Sequence, residues 1–84
     1  MGEHQTRRLS LLTRPQCHLC EAARDVVGRV AADLHMDWEE VSLDDDPGLI
    51  ERYGEEIPVV FVDGVQRDFW QIDEARLRRI LEAE

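Results

Sequence analysis

Two cysteines three residues apart, Cys17 and Cys20, are the residues of this 84-residue chain that most directly suggest chemistry. They are its only cysteines, and they follow Pro15 in the segment RPQCHLC. A pair at this spacing can hold a metal ion, form a structural disulfide or alternate between a dithiol and a disulfide. The rest of the sequence has to distinguish these three kinds of chemistry.

Neither a metal site nor a structural disulfide is well supported by the sequence. Zinc takes about four ligands, usually as two pairs of Cys or His. The remaining candidates are His4, His18 and His35, which form no second pair at metal spacing. A disulfide that closes so short a loop restricts the unfolded chain little, and cytosolic thiols would reduce it. We therefore predict no metal site and favour a redox-active pair.

The residues after the pair predict a helix that gives the two cysteines different environments. Apolar residues recur there at intervals of three and four, as on one face of a helix, namely Leu19, Ala23, Val26, Val27, Val30 and Leu34. Cys17 precedes this pattern, so unpaired N–H groups and the helix dipole should stabilise its thiolate. Cys20 falls within the pattern, faces the core and should keep a higher pKa. We predict that Cys17 is the nucleophile and Cys20 the resolving cysteine.

The first half of the chain predicts two strands and a short helix around the cysteine helix. The apolar run at residues 9–13 is typical of a strand buried on both faces. Residues 37–43 alternate between polar and apolar types and predict a second strand. Asp46 is a good N-cap and Gly54 a good C-terminal stop, so residues 47–53 should form a short helix.

The second half predicts a hairpin and a closing helix. Asp63 and Gly64 stand between two β-rich runs, which is a strong signal for a two-residue hairpin turn. Asp73 should cap the last helix, with Ile72 packing on Leu77 inside it. The resulting order is β-α-β-α-β-β-α, an α/β fold with a four-stranded mixed sheet and helices on both faces.

Size and charge limit the partners. A chain of 84 residues can bury one core, so we expect one domain at residues 9–84 after a polar tail at 1–8. The formal charge of -9 opposes binding to nucleic acid or to anionic membrane surfaces. No segment has the apolar length of a signal peptide core or a membrane span. We expect a cytoplasmic monomer without nucleic-acid or membrane partners.

Two motifs resemble those of a known family. TRPQCHLC at residues 13–20, IPVVFVDG at residues 57–64 and the order of elements are similar to small glutaredoxin-like proteins of the thioredoxin-fold superfamily. The resemblance implies that Cys17 attacks a disulfide and that Cys20 resolves the mixed disulfide. It also implies that a cis-proline loop at Pro58 lies against the pair and that the Ile57 main chain holds the substrate.

The same resemblance implies the partners. The substrate would be a disulfide-containing protein or a glutathione mixed disulfide, and a thiol electron donor would regenerate the pair, with no bound cofactor. Glutathione is the candidate co-substrate. Family members that use glutathione typically carry a Gly-Gly turn followed by acidic residues after the last strand, whereas this chain reads RDFWQID there.

Four further residues each have two interpretations. Arg14 meets a glutathione carboxylate or is a solvated charge, and Asp73 meets the glutathione amine or only caps the last helix. His18 lowers the Cys17 pKa when protonated or points into solvent. Trp70 lines the substrate groove or packs on the core. All four are predicted substrate-binding residues, together with Ile57 and Pro58.

The sequence thus favours a thiol-disulfide oxidoreductase that uses a dithiol mechanism. The alternative is a non-catalytic thioredoxin-like binding module, or a carrier that holds a soft metal such as Cu(I), or zinc, on the two thiolates.

Overall fold

The computed structural model describes residues 8–83, so residues 1–7 of the predicted polar tail lie outside the described residues. Its elements are β1 (Leu9–Thr13), α1 (His18–Asp33), β2 (Glu39–Ser42), α2 (Pro47–Tyr53), β3 (Val59–Val62), β4 (Val65–Phe69) and α3 (Glu74–Ala83). The predicted order β-α-β-α-β-β-α is confirmed. No helix within the described range has the length and apolar character needed to cross a membrane.

The four strands form one mixed sheet in the order β2-β1-β3-β4. β1 runs parallel to β2 and antiparallel to β3, and β3 pairs antiparallel with β4. β1 is therefore a central strand, and its Leu9, Leu11, Leu12 and Thr13 side chains are all buried. The loop that carries the cysteines leaves the end of this central strand at Thr13.

Helices cover both faces of the sheet, as predicted. Successive side chains of a strand point to opposite faces, so β1 and β3 contribute to two apolar clusters. The larger cluster joins the sheet to α1 and α3 through Leu9, Leu11, Ala23, Val27, Val30, Ala31, Val60, Val62, Leu77 and Leu81. In the smaller one, Leu49 and Tyr53 of α2 pack with Leu12 and Val59, and Cys20 belongs to it too.

The hairpin between β3 and β4 turns at the predicted residues. Asp63 has φ 55° and Gly64 has φ 82°, so both central residues are left-handed, as a type I′ turn requires. The Arg8 N–H donates to Asp63 Oδ1 at 2.8 Å, and the Asp63 N–H donates to the Arg8 carbonyl oxygen at 2.7 Å. The hairpin is thereby joined to the residue that precedes β1.

The second strand is shorter than predicted. It ends at Ser42, because Leu43–Asp45 forms a 3-10 turn whose Asp44 N–H donates to Ser42 Oγ at 3.2 Å. A side chain that caps a turn competes with continued strand pairing. The prediction that Leu43 belongs to the strand was wrong, although its side chain is buried in the smaller cluster.

Helix α2 has the predicted cap and end. The Asp46 carboxylate accepts a hydrogen bond from the Gly48 N–H at 2.9 Å. Gly54 follows the helix with φ -54° and ψ -30°, which is right-handed and not the left-handed stop typical of glycine. Glycine is needed there for space, because a Cβ would lie 2.6 Å from the Ile50 carbonyl oxygen.

Candidate active site

Cys17 stands at the N-cap of α1, between the end of β1 and the first helical turn. The chain turns just before it, where Gln16 has φ 56°. The Cys20 N–H donates to Cys17 Sγ at 3.2 Å, so the sulfur takes the place of the usual capping oxygen. A partly exposed sulfur at the positive end of the helix dipole is well placed to be a thiolate.

The surroundings of Cys17 favour its ionised form. Partial burial alone would raise its pKa, but hydrogen bonds from the Cys20 thiol and N–H and from Arg14 outweigh this effect. The positive charge of Arg14 acts in the same direction. The pKa of Cys17 therefore lies below its usual value of 9.0. A lower pKa increases the fraction of thiolate, which is the reactive form of cysteine in disulfide exchange.

Cys20 lies in the opposite environment. Its side chain is 0% exposed and packs in the smaller apolar cluster. Burial, together with the hydrogen bond to Cys17 and the negative charge of that thiolate, raises the pKa of Cys20 to about 11. The structure thus separates the two thiols by exposure and by acidity, as the helical pattern predicts.

A cavity of about 460 Å³ opens at Cys17, and its lining residues come from two parts of the chain. The helix wall comprises residues of the cysteine loop and of the start of α1, namely Arg14, Gln16, Cys17, His18 and Leu19. The loop wall comprises residues that follow α2 and β4, namely Gly54, Glu55, Ile57 and Trp70. Cys17 borders this cavity, whereas Cys20 does not belong to its lining.

Hydrogen bonds to Trp70 shape the loop wall. The Trp70 N–H donates to the Pro58 carbonyl oxygen at 2.8 Å and to the Glu56 carbonyl oxygen at 3.1 Å. Trp70 itself has φ 67°, a left-handed conformation that costs energy in a bulky residue. Trp70 is 59% exposed, so it lines the cavity instead of packing in the core.

The Ile57–Pro58 peptide bond is cis. Pro58 is fully buried, while Ile57 borders the cavity. Among the described residues, the backbone hydrogen bonds of this loop are formed by Glu56 and Pro58 and not by Ile57. Ile57 is 7% exposed and belongs to the smaller apolar cluster, against which Cys17 also packs.

The structure brings together most of the predicted site. Arg14, Cys17, His18, Ile57 and Trp70 border the cavity. Asp73 does not: its carboxylate accepts from the Arg76 N–H at 3.1 Å, and its N–H donates to Asp68 Oδ2 at 2.9 Å. The structure therefore places Asp73 as the cap of α3, the second of its two interpretations. Its contact with a glutathione amine stays a prediction.

Sequence reasoning missed Gln16, Leu19, Gly54 and Glu55 as cavity residues. Glu55 is the chemically informative one, because its carboxylate is exposed and forms no hydrogen bond or ion pair within residues 8–83. It stands two positions before Ile57 in the segment EEIP, and that closeness to the proline loop is the signal that could have identified it.

A polar network lies one helical turn beyond Cys20. Arg24 Nε donates to Glu40 Oε2 at 2.9 Å, and Thr13 Oγ1 donates to the same oxygen at 2.7 Å. Hydrogen bonding from Arg24 holds the pKa of Glu40 below its usual value, despite some burial. The described part of the chain contains no group of three or more His, Cys, Asp or Glu side chains arranged to hold a metal ion.

A mixed sheet with helices on both faces, and a cysteine pair that opens a helix opposite a proline loop, define a thioredoxin-like fold. The chain superimposes on protein XcR50 from X. campestris with a TM-score of 0.75 and 33% identity, over 90% of this chain and 97% of that one. It also superimposes on a mutant thioredoxin from Halobacterium salinarum with a TM-score of 0.66, at 24% identity over 92% and 73% of the two chains.

Residues 8–82 match the model of the glutaredoxin-like domain (DUF836), and the chain belongs to this family. It is 32% identical to the uncharacterized protein Rv0508 of Mycobacterium tuberculosis over 76 residues, which is 84% of this chain and 78% of that protein. The protein is thus a glutaredoxin-like protein with a thioredoxin-like fold and two neighbouring cysteines, as the resemblance predicted.

Proposed function

We propose that the protein is a thiol-disulfide oxidoreductase that uses Cys17 and Cys20 in a dithiol mechanism. The observation that carries this proposal is the asymmetry of the pair. Cys17 is accessible from a cavity and has a lowered pKa, whereas Cys20 is buried behind it with a pKa of about 11. Cys17 is thus suited to attack the substrate first, and Cys20 to react in the second step.

In the first step, the Cys17 thiolate attacks one sulfur of a substrate disulfide. A bond forms between Cys17 Sγ and that sulfur, the substrate S–S bond breaks, and the other substrate sulfur leaves as a thiolate that takes a proton. The enzyme and substrate are then joined by a mixed disulfide. Formation of this bond removes the negative charge of Cys17.

In the second step, Cys20 loses its proton and attacks Cys17 Sγ. The Cys17–Cys20 disulfide forms, the mixed disulfide breaks, and the second substrate thiol is released with a proton. The charge of Cys17 and its hydrogen bond with Cys20 both raise the Cys20 pKa in the free dithiol. Both influences end when the mixed disulfide forms, so Cys20 becomes easier to ionise when it is needed. An external thiol donor then restores the dithiol.

The residues around Cys17 would hold the substrate. We assign the Ile57 main chain and the Pro58 loop to the substrate backbone, and Trp70 to one side of the cavity. Arg14 and His18 would act beside the attacking sulfur. Asp73 remains the weakest assignment, because it caps α3 outside the cavity.

The proposal extends to partners and location. The substrates would be a disulfide-containing protein or a glutathione mixed disulfide, with glutathione as co-substrate and no bound cofactor. The protein would act as a cytoplasmic monomer. A charge of -9 is consistent with protein or peptide substrates and opposes nucleic-acid and membrane partners.

The test is disulfide reduction with dithiothreitol as electron donor, comparing wild type with Cys17→Ser. We expect the variant to fall to the uncatalysed rate, and equal rates would contradict the proposal. Intact mass and metal content after aerobic purification separate the alternative carrier function. A mass deficit of two hydrogens without metal agrees with an oxidoreductase, whereas stoichiometric copper or zinc would favour the carrier.

A further inference from the structure

The loop wall offers a carboxylate and an aromatic face to whatever enters the cavity. Glu55 and Trp70 both border the space in front of Cys17, and the Trp70 N–H is bonded to Glu56, the neighbour of Glu55. The Glu55 side chain is exposed, and 59% of Trp70 is exposed. Within residues 8–83, neither the carboxylate nor the indole ring has a polar, cationic or aromatic partner.

On the helix wall, the charged residue Arg14 acts on Cys17. Hydrogen bonding and the positive charge of Arg14 both lower the pKa of Cys17, so this cation acts on the enzyme's own sulfur. Glu55 on the loop wall has no such partner within residues 8–83 and is exposed to a ligand in the cavity. The lining therefore contains a cation, Arg14, that acts on the attacking sulfur and an anion, Glu55, without an internal partner in the described residues.

We propose that Glu55 and Trp70 bind a cationic side chain, Arg or Lys, that flanks the disulfide cysteine of the substrate. A carboxylate pairs with a guanidinium or ammonium group, and an indole face attracts the same cations. The overall charge of -9 acts in the same sense, because it attracts basic segments and repels acidic ones. This inference rests on the proposed oxidoreductase function and specifies its substrate class.

The probes are three short capped peptides in which Arg, Gln or Glu stands on both sides of one cysteine. Each cysteine is joined by a disulfide to thionitrobenzoate, whose release is followed by absorbance. The second-order rate constant with the reduced protein at low salt is divided by that of dithiothreitol with the same peptide. This division removes the effect of the flanking charge on the intrinsic reactivity of the disulfide.

For wild type we expect the Arg peptide to exceed the Glu peptide by about 3- to 30-fold, the combined effect of an exposed ion pair and a cation–ring contact. Glu55→Gln should remove most of this preference, and Trp70→Leu should reduce it. Glu51→Gln changes the net charge equally but lies outside the cavity lining, so it should keep the preference. Added salt should weaken the preference of wild type.

The outcomes separate the two proposals. Reduction that depends on Cys17 but proceeds equally with all three peptides would overturn the cationic site and leave the oxidoreductase function intact. An equal loss of preference in Glu55→Gln and Glu51→Gln would also overturn the site, since net charge alone would then explain it. The absence of any Cys17-dependent reduction would overturn the proposed function and this inference with it.

Discussion

The two walls of the cavity differ in how the chain builds them. The helix wall comes from one continuous segment, in which a strand end, a turn and a helix start place Cys17 at a helix N-terminus. The loop wall is assembled from two segments, with Trp70 bonded across to Glu56 and Pro58. Local structure therefore lowers the pKa of Cys17, and in the proposed function the contacts between distant segments would form the surface that recognises the substrate.

The largest expected effect concerns the reactivity of the two thiols. Iodoacetamide reacts with the thiolate, so the alkylation rate of a cysteine at a given pH follows its thiolate fraction. That fraction rises with pH and levels off above the pKa of the thiol. The Cys17 pKa lies below 9.0 and that of Cys20 is about 11. Peptide mapping of the wild-type dithiol should show Cys17 labelled at least about 100-fold faster than Cys20 near pH 7.

The control for this prediction is the denatured protein. Unfolding removes the helix cap, the Arg14 contact and the burial, so the two rates should then agree within a few-fold. Similar labelling rates in the folded protein would show that the helix wall does not distinguish the thiols.

The next prediction perturbs the loop wall. A Cβ at Gly54 would lie 2.6 Å from the Ile50 carbonyl oxygen, a backbone atom that can move only with the helix end. Gly54→Ala should therefore lower the free energy of unfolding by about 1–3 kcal/mol, as overpacking usually does, and should displace the neighbouring loop. Urea denaturation measures the stability, and the peptide assay should show a smaller preference for Arg.

Gly28→Ala is the matched control. It lies inside α1, where a Cβ would meet only Trp38 Cζ2 at an ordinary 3.9 Å. Alanine is the better helix former by about 1 kcal/mol, so this variant should keep or increase the stability. Equal loss of stability in both variants would contradict the role given to Gly54.

A smaller effect is expected from the helix wall itself. Arg14→Gln removes a hydrogen bond and a positive charge from Cys17, so the Cys17 pKa should rise. The alkylation rate of Cys17 near pH 7 should fall several-fold, while the rate at high pH should change little. Arg79→Gln removes the same charge from an exposed position of α3 and should leave the profile unchanged. An unchanged profile in Arg14→Gln would show that the helix end alone activates the thiol.

The helix wall was easier to predict from the sequence than the loop wall, because it is built from one continuous segment. The start of α1 was predictable because Cys17 and Cys20 are close in sequence and the apolar repeat assigns each a position. The hairpin was predictable because Asp63 and Gly64 tolerate the left-handed conformations that a type I′ turn requires. These features depend on local preferences, which the sequence displays directly.

The loop wall was harder to predict because its geometry depends on distant partners. Trp70 adopts φ 67° while its N–H bonds to Glu56 and Pro58, more than ten positions earlier. Nothing in the residues around Trp70 favours that conformation, so the sequence left its role open between core and groove. Glu55 was missed for the same reason, since its place in the lining of the Cys17 cavity follows from the packing of the loop.

The most direct test of the central claim is to trap the first intermediate. Cys20→Ser lacks the resolving thiol, so incubation with the Arg peptide disulfide should leave one peptide attached at Cys17, seen by intact mass and located by peptide mapping. Cys17→Ser, treated identically, should carry no peptide. Attachment at Cys20 in that control at a rate comparable to Cys17, or no adduct in Cys20→Ser, would contradict the assignment of Cys17 as the attacking thiol.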